Sequence, residues 1–506
     1  MATYPFWLGD DATGINNTVE VRSGNVPATT DVCVVGGGIA GLTTAYLLAR
    51  EGREVTLLDR GAPANGETAR TSAHLATLLD YRYSELLQWH SPEALRLVAE
   101  SHAMGIDMIE TIVQQEEIAC EFARVAGYLV QSGEDTQDAI QAELRDAGGV
   151  GLPVASADRV PLLLANNGLA LRVDNQAVFH PVRYVRGLAT ALQRLGVTVV
   201  SGANVQQFEP GDTATLRLEG GATVRAQHVV QASGAPFAHL VKMHTKQAAY
   251  RTYVAAYRLP DHVTEPFLIW DTADPFHYVR TYRDSSSGAN YLIVGGEDHK
   301  TGHQTRNGNP FHRIDEWTRD HFDVTGEPEY TWSGQILEPV DGLAYIGRAG
   351  DDEQSNLYMV TGTSGNGLTY GTLAGRLITD LIQGRRNPWE EVYAPNRVNL
   401  RATTTFLKEN LDVAAQYTDW VTPGEVDAIH EVPRGAGAIL REGTSKHAVY
   451  CDEQGEVHHL SAVCPHLGCV VSWNPAEQTW DCPCHGSRFT PKGQVLNGPS
   501  VSDLKP

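Results

Sequence analysis

Six residues near the C-terminal end can do metal chemistry together. Cys464-Pro465-His466-Leu467-Gly468-Cys469 and Cys482-Pro483-Cys484-His485-Gly486-Ser487 each set thiols beside an imidazole within one short segment. Thiolates and neutral imidazoles suit a [2Fe–2S] cluster in which one iron takes two thiolates and the other two imidazoles, and the imidazoles raise the potential above that of an all-cysteine cluster. On that reading Cys464 and Cys482 serve one iron, His466 and His485 the other. Two cysteines and two histidines also suit tetrahedral zinc, but zinc sites commonly pair Cys-x2–4-Cys with His-x3–5-His halves, not mixed halves followed by Gly-Ser. Cys469 and Cys484 are left over, one in each segment.

A second constellation lies near the other end. Asp31-Val32-Cys33-Val34-Val35 is an apolar run that fits a buried parallel strand. It opens into Gly36-Gly37-Gly38-Ile39-Ala40-Gly41 and a helix with apolar positions at Ile39, Leu42, Tyr46 and Ala49, and a second strand, Val55–Leu58, ends at Asp59. Strand, glycine turn, helix and acidic strand end together form a dinucleotide fingerprint. Gly36 serves the tight turn, Gly38 lets the backbone approach a pyrophosphate, Gly41 permits close helix–strand packing, and Asp59 takes a ribose hydroxyl. The pattern suits NAD and FAD alike. It occurs once, which argues against the layout of a pyridine-nucleotide disulfide reductase.

Residues 464–489 resemble the Rieske domains of respiratory and photosynthetic complexes. The resemblance implies a Cys469–Cys484 disulfide pinning the two loops together, and serine and tyrosine donors to cluster or ligand sulfur. Ser487 matches the serine, whereas Phe489 stands where the tyrosine would be. A donor to sulfur stabilises the reduced, more negative cluster, so its loss should lower the potential below that of the quinol-oxidising class.

Val197–Val205, Val229–Gly234 and Leu357–Thr369 resemble, in order, three elements of the D-amino-acid oxidase, glycine oxidase and sarcosine oxidase superfamily. This resemblance implies FAD, with Val205 reading adenine through its backbone and Gly234 near the cofactor. It also implies that backbone N–H groups around Gly365, Asn366, Gly367 and Leu368 stabilise negative charge on reduced flavin. Ile39, Ala40, Arg60 and Ser72 join the expected cofactor contacts. Gln176–Pro181 followed by a helix, Gly66–His74 and Val294–His299 narrow the resemblance to bacterial FAD-dependent oxidoreductases that carry a C-terminal Rieske domain. His74 should line the flavin. One reading is a covalent histidyl–flavin bond as in the dimethylglycine dehydrogenase branch, weakened by Ala73 where that branch has tryptophan; the other is a non-covalent contact.

The stretch Asp274–Arg283 alternates, so Tyr278, Arg280 and Tyr282 share one strand face. In the superfamily such Arg and Tyr side chains hold a substrate carboxylate, a bidentate guanidinium clamp that would aim the Cα–H at the flavin. Arg348 is a second clamp candidate, and an ordinary sheet face is the bland alternative. The implied chemistry is oxidation of an amine or amino-acid-like small molecule by hydride transfer to FAD, with the cluster carrying electrons to an external acceptor. No general base is obvious, and a neutral amine needs none. Flow from cluster to flavin, and an electron-transfer or redox-sensing protein without an organic substrate, are the other readings.

The elements that must position these groups read as an α/β fold. A discontinuous Rossmann-like FAD part (28–90, 170–240, 335–395) and a mixed or antiparallel substrate part (91–168, 245–334) make up residues 28–397. A helical linker arm over 398–423 packs this unit against an all-β Rieske domain over 424–506, and residues 1–27 form an irregular lead-in. The length of 506 residues suits about three domain-sized units. A formal charge of −22 argues against nucleic acid and anionic membrane surfaces as partners. No apolar stretch nears the roughly 18 residues of a membrane span, and the first residues lack a basic-then-apolar secretory pattern. A cytoplasmic location is therefore the expectation, although a disulfide is unusual there.

Overall fold

In a computed structural model, residues 3–13, 26–132, 137–164, 169–236, 241–263, 265–303, 308–349 and 355–506 are described. The fingerprint strand Thr29–Val35 sits mid-sheet, hydrogen-bonded in parallel to Thr223–Gln231 on one side and Val55–Leu58 on the other. The full path runs Tyr345–Arg348, Leu357–Thr361, Thr223–Gln231, Thr29–Val35, Val55–Leu58, Thr198–Val200. Parallel central strands are covered on both faces, which is why these runs are apolar without alternation. Helix Ile39–Arg50 packs on this sheet against helix Gly367–Ile382. Glycines set the closeness of that packing: a Cβ on Gly371 would lie 2.9 Å from Ile39 and one on Gly375 2.8 Å from Thr43.

A nine-stranded sheet faces it, ordered Tyr330–Pro339, Gln247–Leu259, Asn290–Lys300, Tyr278–Arg283, Leu268–Asp271, Ala123–Val130, Ala170–Val178, His74–Leu75, with Val154–Ala157 paired to Ala170–Val178. Strands Ala170–Val178 and His74–Leu75, expected in the FAD part, thus belong to this second sheet. Apart from Val154–Ala157, their partners lie far away in the chain, and alternation alone does not say which sheet completes a strand.

The lead-in also differs from expectation. Phe6–Thr13 is a 3-10 helix, with Phe6 and Trp7 buried in the main core. The Trp7 indole N–H donates to the Thr71 carbonyl at 2.6 Å, beneath the loop that precedes His74. Residues 14–25 of the lead-in lie outside the described residues.

Helix Thr403–Gln416, the core of the expected arm, buries none of its side chains, and Leu400, Leu407 and Leu411 are exposed. Its polar groups make the link instead. Lys300 pairs with Glu409 and Asp412, both at 2.7 Å. Past the helix, Tyr417 and Trp420 donate to the carbonyls of Leu467 and Gly468. The C-terminal region is all β: a three-stranded sheet over Ala436–Glu442, Ser445–Cys451 and Val457–Ser461, and a four-stranded sheet ending in Val495–Asn497. Among the described residues no helix is long and apolar enough to cross a membrane.

Candidate functional site

Two loops of matching shape carry the expected metal ligands. In one, the Gly468 N–H bonds to the Cys464 carbonyl and the Cys464 N–H to the Cys469 carbonyl; in the other, Gly486 and Cys482 donate to Cys482 and Ser487 in the same pattern. Each turn needs a left-handed residue at its fifth position, supplied by Gly468 (φ 81°) and Gly486 (φ 80°). Cys469 and Cys484 are disulfide-bonded with Cα atoms 6.4 Å apart. The two remaining thiols of the loops face each other, and the Cys464 thiol is held below the ordinary thiol range, chiefly by a bond from Cys482, with further help from the His466 N–H and the Ser487 hydroxyl.

The two imidazoles pair on their own side, His466 and His485 with ring centroids 5.0 Å apart. Burial keeps both neutral, lowering each to about 4. His485 Nδ1 is buried with no hydrogen-bond partner, as a metal-ligating nitrogen without its metal would be. Among the described residues no compact group of donor atoms combines both free thiols with an imidazole. A single tetrahedral ion would need that grouping, whereas a two-iron cluster is wide enough to be held by thiols on one side and imidazoles on the other.

The fingerprint opens onto a cavity of about 410 Å³. Gly36 (φ 116°) has no room for a side chain, because a Cβ would meet the Ala232 carbonyl oxygen at 2.4 Å; on Gly41 it would meet the Gly36 carbonyl oxygen at 1.9 Å. Asp59 accepts the N–H groups of Gly37 and Gly61, which aims its carboxylate across the mouth of the turn. Every expected cofactor residue except Gly41 lines this cavity: Gly36, Gly38, Ile39, Ala40, Asp59, Arg60, Ser72, His74, Val205, Gly234, Gly365, Asn366, Gly367 and Leu368. A backbone cradle of this kind, with helix N–H groups facing it, fits a dinucleotide. The N–H of Gly365, expected to face reduced flavin, donates instead to Asp80 at 2.7 Å.

His74 is neutral: burial, with Arg280 nearby, lowers it to about 3. Its Nε2 lies 3.3 Å from the Val279 carbonyl and its Nδ1 2.9 Å from the Ser72 hydroxyl. A carbonyl only accepts, so the proton sits on Nε2 and Nδ1 accepts from Ser72. Both ring nitrogens are therefore engaged within the protein.

The carboxylate clamp is corrected. Tyr278 reaches the cavity, but Arg280 does not line it. Arg280 is buried and its guanidinium donates to the carbonyls of Ser72, Ala73 and Phe179, with Trp7 and Tyr282 stacked nearby. Tyr282 packs against Trp7 and Phe6. Arg348 donates to the Ser355 carbonyl on the far edge of the first sheet. The three share a face or a strand end with the site, yet the two arginines bind backbone carbonyls and Tyr282 packs in an aromatic cluster. Alternation gives the face of a strand and says nothing of how far along it the cavity extends.

What the sequence reading missed is acidic. A second cavity of about 380 Å³ shares Asp80, Trp270, Phe276, Asp298 and Ile336 with the first, and Glu338 and Tyr250 line it further in. Burial raises Asp80 to about 6, and burial with repulsion from neighbouring carboxylates raises Asp298 to about 7 and Glu338 to about 8. Asp298 Oδ1 has no hydrogen-bond partner. Asp298 falls within the quoted Val294–His299 stretch, but nothing local marks Asp80 or Glu338.

The cluster tip docks on the flavin side. His244 sits against both imidazoles of the tip, its ring centroid 4.5 Å from His466 and 5.3 Å from His485. Gln335, a wall of the flavin cavity, donates its side-chain N–H to the Gly486 carbonyl at 2.8 Å. Beside them a buried ion network crosses the boundary: Arg251 with Glu477 at 3.1 Å, and Arg488 with Glu477 at 2.8 Å and Asp481 at 2.9 Å. Leu496 and Gly498, Pro499, Ser500 and Val501 of the C-terminal region also line this cavity.

Comparison with known proteins agrees with this division. The model of the family "FAD dependent oxidoreductase" (DAO) matches residues 31–381, and that of the Rieske [2Fe-2S] domain matches residues 422–506. The chain is 29% identical over 493 residues to the putative Rieske 2Fe-2S iron-sulfur protein YhfW of Bacillus subtilis (strain 168), covering 94% of this chain and 92% of that one. It is 24% identical over 384 residues to the gamma-glutamylputrescine oxidoreductase of Escherichia coli (strain K12), covering 71% and 85%. Glycine oxidase from Geobacillus kaustophilus shares the fold of the first part, with a TM-score of 0.61 at 19% identity over 74% of this chain and all of that one. The chain belongs to the DAO family of FAD-dependent oxidoreductases and carries a C-terminal Rieske domain, the one implying FAD and the other a [2Fe–2S] cluster.

Proposed function

We propose that this oxidoreductase oxidises a cationic amine in the acidic cavity and hands the electrons to an acceptor by way of the docked Rieske cluster. The observation that carries the substrate class is the lining of that cavity: Asp80, Asp298 and Glu338 with the aromatic rings of Trp270, Phe276 and Tyr250. Carboxylates and π faces both attract a cation. A substrate carboxylate would be repelled here, and the one arginine of this lining, Arg82, lies 3.9 Å from Glu85.

FAD supplies a two-electron acceptor for the amine and the [2Fe–2S] cluster a one-electron carrier. The chain's own part is placement and proton handling. Asp298 Oδ1, unpartnered and near neutral in its titration, is the atom that takes the proton a protonated amine must lose before its C–H can be broken. His74, fixed as a neutral ring by Ser72 and Val279, supports the cofactor face without adding charge. Cys464 and Cys482 would hold one iron and His466 and His485 the other. His244 and Gln335 then join that cluster to the flavin wall.

The test is anaerobic mixing of the holoprotein with a diamine, a monoamine and an α-amino acid of similar length, followed at the flavin absorbance band. Bleaching by the amines, with the diamine taken at the lowest concentration, is expected. Bleaching by the amino acid at equal or lower concentration would overturn the substrate class, and no bleaching with any of them would favour a protein-to-protein electron carrier.

A further inference from the structure

We infer that residues 496–501 of the Rieske domain form the outer wall of the nucleotide end of the FAD site, so that this oxidoreductase cannot hold its flavin well without its iron–sulfur domain. The inference rests on the reading of Asp59 and Val205 as the adenosine end. Leu496, Gly498, Pro499, Ser500 and Val501 line the same cavity as those two residues. They are tied there on three sides. Arg60, next to Asp59, donates to the Leu496 carbonyl at 2.7 Å. Asn204, next to Val205, donates to the Val501 carbonyl at 3.2 Å. Asn497 donates to Glu67 at 2.6 Å, and the other oxygen of that carboxylate accepts from the Gln335 N–H at 2.7 Å.

A dinucleotide fold ordinarily leaves the ribose and adenine at the open edge of its sheet. Here that edge is covered by backbone from another domain, contributed some 430 residues later in the chain. The segment is also fixed from behind by the metal loops. Ser500 is buried and its N–H donates to the Ser487 hydroxyl oxygen at 3.0 Å. The Ser487 hydroxyl in turn donates to the Cys464 sulfur. The wall of the nucleotide site and a donor to a cluster ligand are thus two ends of one short hydrogen-bonded unit. Binding at one end stabilises the arrangement the other uses, and such coupling is reciprocal.

The experiment uses the full chain, iron-loaded and stripped of flavin, with FAD, ADP and FMN as probes. In Val501→Glu, which sets a charge in the wall, the dissociation constants of FAD and ADP should rise at least tenfold while that of FMN stays within twofold, with iron content unchanged. FAD and ADP affinities within twofold of the parent would overturn the inference. Amide exchange over residues 495–501 of the unmutated protein gives a reading that does not depend on the variant folding. ADP should slow that exchange and FMN should not; no effect of ADP, or an equal effect of FMN, would contradict the proposed wall.

Discussion

The two prosthetic-group sites of this chain are built in opposite ways. All four proposed cluster ligands come from two loops within 22 residues, each closed by its own backbone bonds and pinned by one disulfide. The flavin cavity draws on segments from Val35 to Val501, including loops of both sheets and the end of the other domain. A site made from local turns is carried by its motif, whereas one assembled across the fold exists only once the long-range contacts have formed. The first should therefore be sensitive to single ligands and the second to the packing between domains.

The largest effect expected is at the local site. Cys464→Ser removes a thiolate and should abolish iron and labile sulfide. FAD should be retained, at reduced affinity, and amines should still bleach it while reduction of an external one-electron acceptor falls to background. Iron retained at the parent level would refute the ligand assignment. Next comes the boundary. Arg488→Met strands Asp481 as a buried charge and leaves Glu477 to Arg251 alone, a loss of about 3–5 kcal/mol, and thermal unfolding should show a lower midpoint together with earlier flavin release. Separate, unshifted transitions for the two domains would break the idea that the flavin site depends on their docking.

This contrast also explains what could be read from the sequence. Gly36, Asp59 and the disulfide partners sit in short patterns whose spacing is itself the geometry: the first two line the cavity and the cysteine pair is bonded. Arg280 was legible only as a face of a strand. Its turn toward the Ser72 and Ala73 carbonyls depends on the lead-in helix and on Trp7, which the sequence presents as unremarkable. The strand Ala170–Val178 changed sheets for the same reason. Asp80 and residues 496–501 have no local signature, because what makes them functional is a neighbour hundreds of residues away, and Glu338 meets Asp80 only through the fold.

Two smaller effects sharpen the comparison. In the acidic cavity, Asp80, Asp298 and Glu338 titrate above ordinary carboxylate values, at about 6, 7 and 8. Groups raised on folding contribute stability at low pH and lose it as pH climbs through the folded values. The substrate-free protein should thus melt progressively lower from pH 5.5 to 8.5, by roughly 1 °C for each kcal/mol lost in a chain of this length. A bound diamine should reverse that trend, since its affinity grows as the carboxylates ionise; a midpoint that rises with pH in the free protein would contradict the assignment. At the cluster, Phe489 is fully buried beside Trp480. Phe489→Tyr should restore a donor near sulfur and raise the midpoint potential by on the order of 60 mV, about tenfold in the one-electron equilibrium. A redox titration showing no change or a fall would place the hydroxyl elsewhere.

The central claim is that flavin and cluster exchange electrons within one chain. It is tested most directly by light-driven reduction of the flavin in the anaerobic holoprotein, with the reduced-cluster EPR signal followed by rapid freezing at a series of protein concentrations. The docked arrangement predicts that the cluster signal grows as the reduced flavin decays, at a first-order rate independent of concentration. A rate proportional to protein concentration, or a reduced flavin that leaves the cluster oxidised, would contradict it.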